Sequence, residues 1–425
     1  MAFDPARFAW MKPPAPAKAR LLWSKVVLLV LLLPLFGQSF HYIKDVPPLW
    51  ALSKIWPLIA LPFAPVLLYR PYSAFSRQMI FTFLWLVGIS SVAAIPAFGQ
   101  SFLIGLTGQI KLLPLLSFFS FLGFLYWQKP TLRELTAAFV ICAVATLLVL
   151  LALWLIAPQS WYVGTIDVGD APLLSADARG NRIRMPMFFA MLGMFYWYRL
   201  ANQTQKWRWF VPVAIVLSCM MGLVRTRAMV LGGAATLALA LAMLVATTPR
   251  RRLIVMLLVP VLLIAMFQIP YVASVFDTDQ NSGLQVRVIT AQKATYFLGN
   301  DWINWLFGVG SISSINPKGM ADFFSHYFFL ADITWLGIVF EFGLFGAALL
   351  LALPVRGIWY FKKLRRRIDH PLLAAMQDYL IYVILISGLY PTLTLQPGEV
   401  AILLSVAVYC RFAAKDFAAQ RRRFA

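Results

Sequence analysis

A chain of 425 residues in which 61% of the side chains are hydrophobic and only 12% are charged carries far more apolar surface than a soluble domain of that length needs, which excludes a soluble enzyme. A formal net charge of +21 would suit a nucleic-acid binder. The basic residues, however, recur in short stretches between apolar runs rather than on one face of a domain, the pattern of a multi-pass membrane protein, so no nucleic-acid partner is expected.

A basic, Pro-rich leader of roughly 20 residues precedes the first apolar run; it lacks a small-residue cleavage site, so that run is expected to be a retained span. Runs able to cross a bilayer, at about 20 residues each, follow at 22–40, 49–68, 79–97, 108–127, 135–157, 186–200, 208–224, 228–247, 253–270, 334–356, 372–391 and 399–412. Trp23, Trp50, Trp127, Trp161, Trp207, Trp209 and Tyr360 stand near the ends of runs, where interfacial anchors belong. The expected architecture is a single polytopic membrane domain over 1–425, all-α, with about twelve spans. Cys142, Cys219 and Cys410 lie in or beside apolar runs without metal-ligand spacing, as core residues do.

Two connections are long, 158–185 and 271–333, and long loops in a compact protein bind, cover or catalyse. The charges orient the chain. Arg7, Lys12, Lys18, Arg20 and Lys25 at one terminus, and Arg411, Lys415, Arg421, Arg422 and Arg423 at the other, fall on the same side as Arg70, Arg77, Lys129, Arg133, Arg199, Lys206, Arg208, Arg250, Arg251, Arg252, Arg356 and the cluster from Lys362 to Arg367. That is most of the 37 basic residues, and it places both termini in the cytoplasm and both long loops outside.

The exceptions mark the candidate site. Arg179, Arg182 and Arg184 close the first long loop. Arg225 and Arg227 flank Thr226 in an apolar stretch too long for one span, so they are expected at the external tip of a helical hairpin. Arg287 sits in a segment, Leu284 to Lys293, with helical spacing. Guanidinium groups match phosphate oxygens through paired hydrogen bonds, so these residues suit an anion at headgroup level; pairing with loop aspartates or lipid phosphates is the plainer reading. His326, followed by Tyr327 and preceded by Ser325, could take a proton from an attacking hydroxyl near pH 7. Against that stands a histidine satisfied among Phe323, Phe324, Tyr327 and Phe328. Glu341 lies inside the tenth expected span, where a carboxylate needs a partner; an external-facing arginine is expected, in support of the site. No phosphate-binding Gly-Lys-Ser/Thr loop and no zinc motif is present, and Asp277-Thr278-Asp279 falls where nucleotide sugars are absent, so neither cofactor nor metal is expected.

In order and spacing these residues resemble the loop motifs of the O-antigen polymerase and ligase superfamily of bacterial envelopes, the Wzy and WaaL proteins. That pattern is an Arg, a Gly-x-Gly turn, a His-x-x-x-Leu and a Glu-x-Gly-x-x-Gly; here it reads Arg287, Gly308-Val309-Gly310, His326 with Leu330, and Glu341-Phe342-Gly343-Leu344-Phe345-Gly346. Arg225-Thr226-Arg227 is similar to the family's earlier hairpin motif, and Arg179-Gly180 with Pro186 to an Arg-x-x-Gly…Pro-Asn pattern. Tyr327 and Met187 stand where relatives carry Asn, and Ala331-Asp332-Ile333-Thr334-Trp335-Leu336-Gly337 looks more like capsular and exopolysaccharide polymerases than like ligases.

The resemblance implies a GT-C-like fold with the large external loop between spans nine and ten. It implies a metal-independent, inverting glycosyl transfer at the periplasmic side of the inner membrane. The donor would be an oligosaccharide on undecaprenyl pyrophosphate and the acceptor a lipid-linked repeat unit, or lipid A–core in a ligase; membrane lipids and a chain-length regulator are the further partners. A transporter or flippase competes on span number, but no two-fold sequence symmetry supports it.

Overall fold

The computed structural model describes residues 22–43, 46–64, 74–164, 172–177, 180–245, 282–325 and 328–423. Helices occupy every expected apolar segment within those residues; the segment 253–270 lies outside them. In chain order they are α1 (Trp23–Phe36), α2 (Pro47–Ile59), α3 (Ala74–Leu84), α4 (Ser90–Phe98), α5 (Phe102–Gly108), α6 (Ser117–Gln128), α7 (Leu132–Ile156), α8 (Phe188–Thr204), α9 (Phe210–Cys219), α10 (Arg227–Val245), α11 (Ser282–Leu298), α12 (Trp302–Phe307), α13 (Met320–Phe323), α14 (Thr334–Arg365), α15 (Pro371–Ile386), α16 (Thr392–Leu395) and α17 (Pro397–Arg423).

Among the described residues five helical stretches are long and apolar enough to cross a membrane: Phe75–Phe98, Ile110–Gln128, Leu132–Ile156, Trp207–Val224 and Leu330–Arg365. Shorter apolar helices run over Trp23–Phe36, Ala228–Met243 and Pro371–Ile386. Helices are the form a spanning segment must take, because each backbone donor and acceptor is satisfied within the segment itself. Outward faces such as Leu148, Leu155 and Ile156 on α7 are exposed and apolar, as surfaces meeting lipid are. The molecule is a mostly helical, membrane-embedded protein.

Local chemistry sets the helix ends. Thr131 and Glu134 close a capping box on α7, Pro47 and Pro371 open α2 and α15, and Lys362, Lys363 and Arg365 sit in the last turn of α14, where the helix dipole favours cations. That last feature carries α14 well beyond the expected end at 356, so Lys362, Lys363 and Arg365 are helical and Arg366 and Arg367 follow in a turn. Tyr360, expected as an interfacial anchor, is buried against Phe75. Cys142, Cys219 and Cys410 are buried and free, as core residues should be.

The main core packs Phe36, Phe118, Phe121 and Phe188 with the Val400–Val408 stretch of α17. A second cluster joins Ala94 and Phe98 of α4, Ala294 and Leu298 of α11, Val309, Phe328 and Phe340. It seats the late loop's helices against the bundle, with Phe324 stacked on Phe328 at 4.0 Å between ring centres. Among the described residues, the first long connection is not irregular. It forms a small sheet of β1 (Val163–Gly164), β2 (Leu174–Asp177) and β3 (Gly180–Ile183), with β1 parallel to β2 and β2 antiparallel to β3. These strands qualify the all-α expectation; at two to four residues they are too short to leave a readable alternation.

Candidate functional site: a convergent arginine cluster

The hairpin over 208–247 forms as expected. After α9 the chain tightens into a π-helical turn, Met220–Val224, and Arg225 then adopts the left-handed conformation at φ 53°. A non-glycine residue held there costs about 1–3 kcal/mol and marks a position the surroundings enforce. The Arg225 N–H donates to Met220 O at 2.8 Å and its Nε to Gly222 O at 3.0 Å. Its guanidinium extends to the small sheet, where a Cβ on Gly180 would come within 2.3 Å of Nη1; Gly180, at φ 85°, is glycine on both counts. Arg227 opens α10.

The β2–β3 pairing places Arg182 opposite Ser175. Arg182 Nε donates to Ser175 Oγ at 3.2 Å, and Arg184 Nε donates to the same oxygen at 3.1 Å. One neutral hydroxyl thus holds two guanidinium groups side by side, and Arg182 is buried while Arg184 is partly so. The Arg184 N–H bonds Leu173 O at 2.7 Å, extending the ladder past β3. Arg179 lies outside the described residues.

Arg287 is exposed on α11, the helix its spacing foretold. Arg287 and Arg184 both act electrostatically on Asp332, in the 3-10 turn Leu330–Ile333 that leads into α14. Arg184, just past β3, and Arg287, on α11, thus act on the same carboxylate, and Arg225 reaches Gly180 at the start of β3. Six residues along α11, Lys293 Nζ donates to Ser325 Oγ at 3.0 Å and to Phe324 O at 3.4 Å, so the same helix holds the chain immediately before His326. His326 and Tyr327 themselves lie outside the described residues, as does Asp277-Thr278-Asp279.

The Gly308-Val309-Gly310 turn plays a packing role. Val309 N–H donates to Phe340 O at 2.8 Å. A Cβ on Gly308 would stand 2.6 Å from Gly343 N, and one on Gly310 would stand 2.3 Å from Ser90 O. Gly343 breaks α14 at φ 70°, ψ 174°, and fits against Leu306 O. The glycines let the turn, α4 and the kink approach backbone to backbone. Just before the kink, both Glu341 carboxylate oxygens accept from Lys111 Nζ, at 2.5 and 2.6 Å. The expected arginine partner is thus corrected to a lysine on the 3-10 segment Ile110–Leu116. Lys111 reaches because that segment precedes α6 at the level of the kink, whereas the arginines stand on the sheet, the hairpin tip and α11.

Sequence reasoning passed over several residues here. Tyr42 Oη and Tyr390 Oη are 2.5 Å apart, and Tyr42 feels the charges of Arg184, Glu399 and Arg182. Glu399 is buried in the first turn of α17 and accepts from Tyr379 Oη at 2.6 Å. His41 Nδ1 lies 2.6 Å from the buried Lys54 Nζ. A carboxylate opening an apolar run at Glu399 was the available signal; the tyrosines gave none, since aromatics crowd the ends of many runs. No protein-family model matches the chain, and no curated protein matches it.

Proposed function

We propose that the protein is a polysaccharide polymerase of about twelve spans in a bacterial inner membrane. Both termini are cytoplasmic, and the arginine cluster faces the periplasm. The donor is an oligosaccharide on undecaprenyl pyrophosphate; the acceptor is the sugar hydroxyl of a second lipid-linked repeat unit. The acceptor oxygen forms its bond to the donor's anomeric carbon as the bond from that carbon to the pyrophosphate oxygen breaks. The electron pair leaves with the pyrophosphate, the configuration inverts, and the hydroxyl proton passes to His326. Arg225, Arg227 and Arg287, with Arg182 and Arg184, bind the pyrophosphate and stabilise the charge that grows on it.

The observation that carries this reading is the gathering of cations from three distant segments. Arg182 and Arg184 share one serine oxygen, Arg184 and Arg287 share the field of Asp332, and Arg225 reaches Gly180. Guanidinium groups match phosphate oxygens through paired hydrogen bonds, so a pyrophosphate suits such a gathering. Ser325, the residue before His326, accepts from Lys293 on the Arg287 helix, which supports reading the two segments as parts of one site.

The test is the size profile of lipid-linked and surface glycans in cells whose only copy carries His326→Ala. Single repeat units accumulating on the carrier lipid are expected. Long chains stranded on the carrier would instead assign the ligase reaction, with lipid A–core as acceptor. A wild-type profile would remove His326 from the mechanism.

A further inference from the structure

We infer that the seam between α3 and α14 binds an anionic phospholipid, with Arg356 at the headgroup phosphate and the acyl chains on the exposed apolar faces of the two helices. The inference rests on the membrane-embedded fold and stands whichever reaction the arginine cluster performs. In the topology proposed above, the lipid belongs to the cytoplasmic leaflet.

Three contacts set the seam, and they run antiparallel. Phe75 of α3 meets Tyr360 of α14 edge-on at 5.1 Å between ring centres, Gln78 Oε1 accepts from Arg356 Nη1, and Phe81 meets Phe345 edge-on at 6.2 Å. Arg356 also lies over the Phe75 ring, with Cζ 5.4 Å from its centre. Its guanidinium is thus fixed by an amide and an aromatic face, both neutral, while the residue stays exposed. Tyr360 takes a second guanidinium over its ring, that of Arg411 of α17, at 5.0 Å. Among the described residues, neither arginine pairs with a carboxylate. A planar donor held in this way presents its remaining N–H groups as a fork to phosphate oxygens.

Both helices also answer the apolar part of the ligand. On α3 the exposed Arg77 precedes Phe81 and Leu84 by one and two turns, and both of these are exposed, at 49% and 62%. On α14 the exposed Val355 and Trp359 stand one turn apart. Lys363 follows a turn later, with Nζ 3.4 Å from the centre of the Trp359 ring. Each helix of the seam therefore carries an exposed apolar stripe that ends in a cation, with an indole at the join on α14. Lysine and tryptophan take such places where a bilayer passes from acyl chain to headgroup. A free phosphate has no use for the stripes, and a zwitterionic headgroup brings a cation of its own towards Arg356. The fit is to a lipid whose headgroup is net negative.

The test uses the detergent-purified full-length protein. Native mass spectrometry measures its affinity for phosphatidylglycerol, phosphatidylcholine and glycerol phosphate, and Tm is recorded without added lipid. The wild type is expected to bind phosphatidylglycerol about tenfold more tightly than phosphatidylcholine, and Arg356→Gln to weaken phosphatidylglycerol about fivefold, the effect of one cation near an anionic lipid. Phosphatidylcholine binding and Tm should stay at the wild-type level. Lys363→Gln, at an exposed position, is expected to give a smaller loss with the same selectivity, and it carries the test if Arg356→Gln lowers Tm. Arg208→Gln is the control: Arg208 is exposed and lies over the Trp209 ring at 5.2 Å, but on the segment that opens α9, and it should change nothing. Equal wild-type affinities for the two lipids would overturn the inference. So would an equal loss in Arg208→Gln and Arg356→Gln, which would reduce the effect to overall charge, or glycerol phosphate binding as tightly as phosphatidylglycerol, which would leave no role for the stripes. None of these outcomes touches the reaction proposed above, since neither Arg356 nor Lys363 belongs to the arginine cluster.

Discussion

The helix α8 joins two regions that hold charge in different ways. It begins just past the sheet that carries Arg182 and Arg184. Towards its other end, Arg199 donates from Nε and Nη2 to the two oxygens of Asp378 on α15, at 2.5 and 2.6 Å. There two buried charges of opposite sign meet in paired geometry. Glu134 is likewise closed by the backbone of Thr131 and Leu22 at 2.7 and 3.0 Å. At the sheet end, Arg182 and Arg184 both donate to one serine hydroxyl, and Arg184 shares the carboxylate of Asp332 with Arg287. A charge satisfied within the chain stabilises the fold; in the function proposed above, the cations at the sheet end also meet a charge that arrives from elsewhere.

The largest expected effect follows from removing a cation at the sheet end. Arg287→Ala, on an exposed helical position, should leave folding nearly intact and lower polymer output about 100-fold or more, the scale of losing one donor to developing negative charge. Glycan yield per molecule of detergent-stable protein is the readout. A loss of protein rather than of yield would erase the distinction between the two ends.

Asp378→Asn probes the other end, with the consequences exchanged. It leaves the buried Arg199 without its counter-charge and should cost about 3–5 kcal/mol of stability, read as a lower Tm and less folded protein. Yield per folded molecule should stay at the wild-type level. Replacing both partners by apolar residues of similar size should recover most of the stability, because no buried charge is then left alone. A drop in yield per folded molecule would show that this end also serves the reaction.

How much of this could be read from the sequence depended on the range of the interaction. Apolar runs announce helices because each run satisfies its own backbone, and the helix bearing Arg287 announced itself by spacing. The hairpin tip at Arg225 followed from length alone, since a stretch over 208–247 cannot be one span. The Lys111–Glu341 pair did not follow, because the separation of 230 residues carries no local pattern and an arginine looked the better partner. Arg199 falls at the end of the run 186–200, and its neutralisation by Asp378 of another helix leaves no local pattern. The Tyr42, Tyr390 and Glu399 group depended on bringing the first connection onto the last helix, which composition cannot indicate. The glycines at 308 and 310 were found as a motif, but their packing against Ser90 and the Gly343 kink became visible only in three dimensions.

The smallest expected effect is a pH dependence confined to the Arg199 end. His370 caps α15, its Nδ1 accepting from Leu372 N–H at 3.2 Å, which requires that nitrogen to be unprotonated. Burial lowers its pKa below the ordinary 6.5, against an opposing contribution from Asp369. The folded value lies below the unfolded one, so the unfolded chain takes up the proton first as pH falls. The stability this residue contributes is complete above about 6.5 and is lost as pH drops through that value towards the folded one. His370→Asn keeps a side-chain acceptor at the cap but does not titrate. Thermal unfolding between about pH 8 and pH 5 should therefore show a shallower acid decline in the variant than in the wild type. Equal slopes would move the acid sensitivity away from this cap.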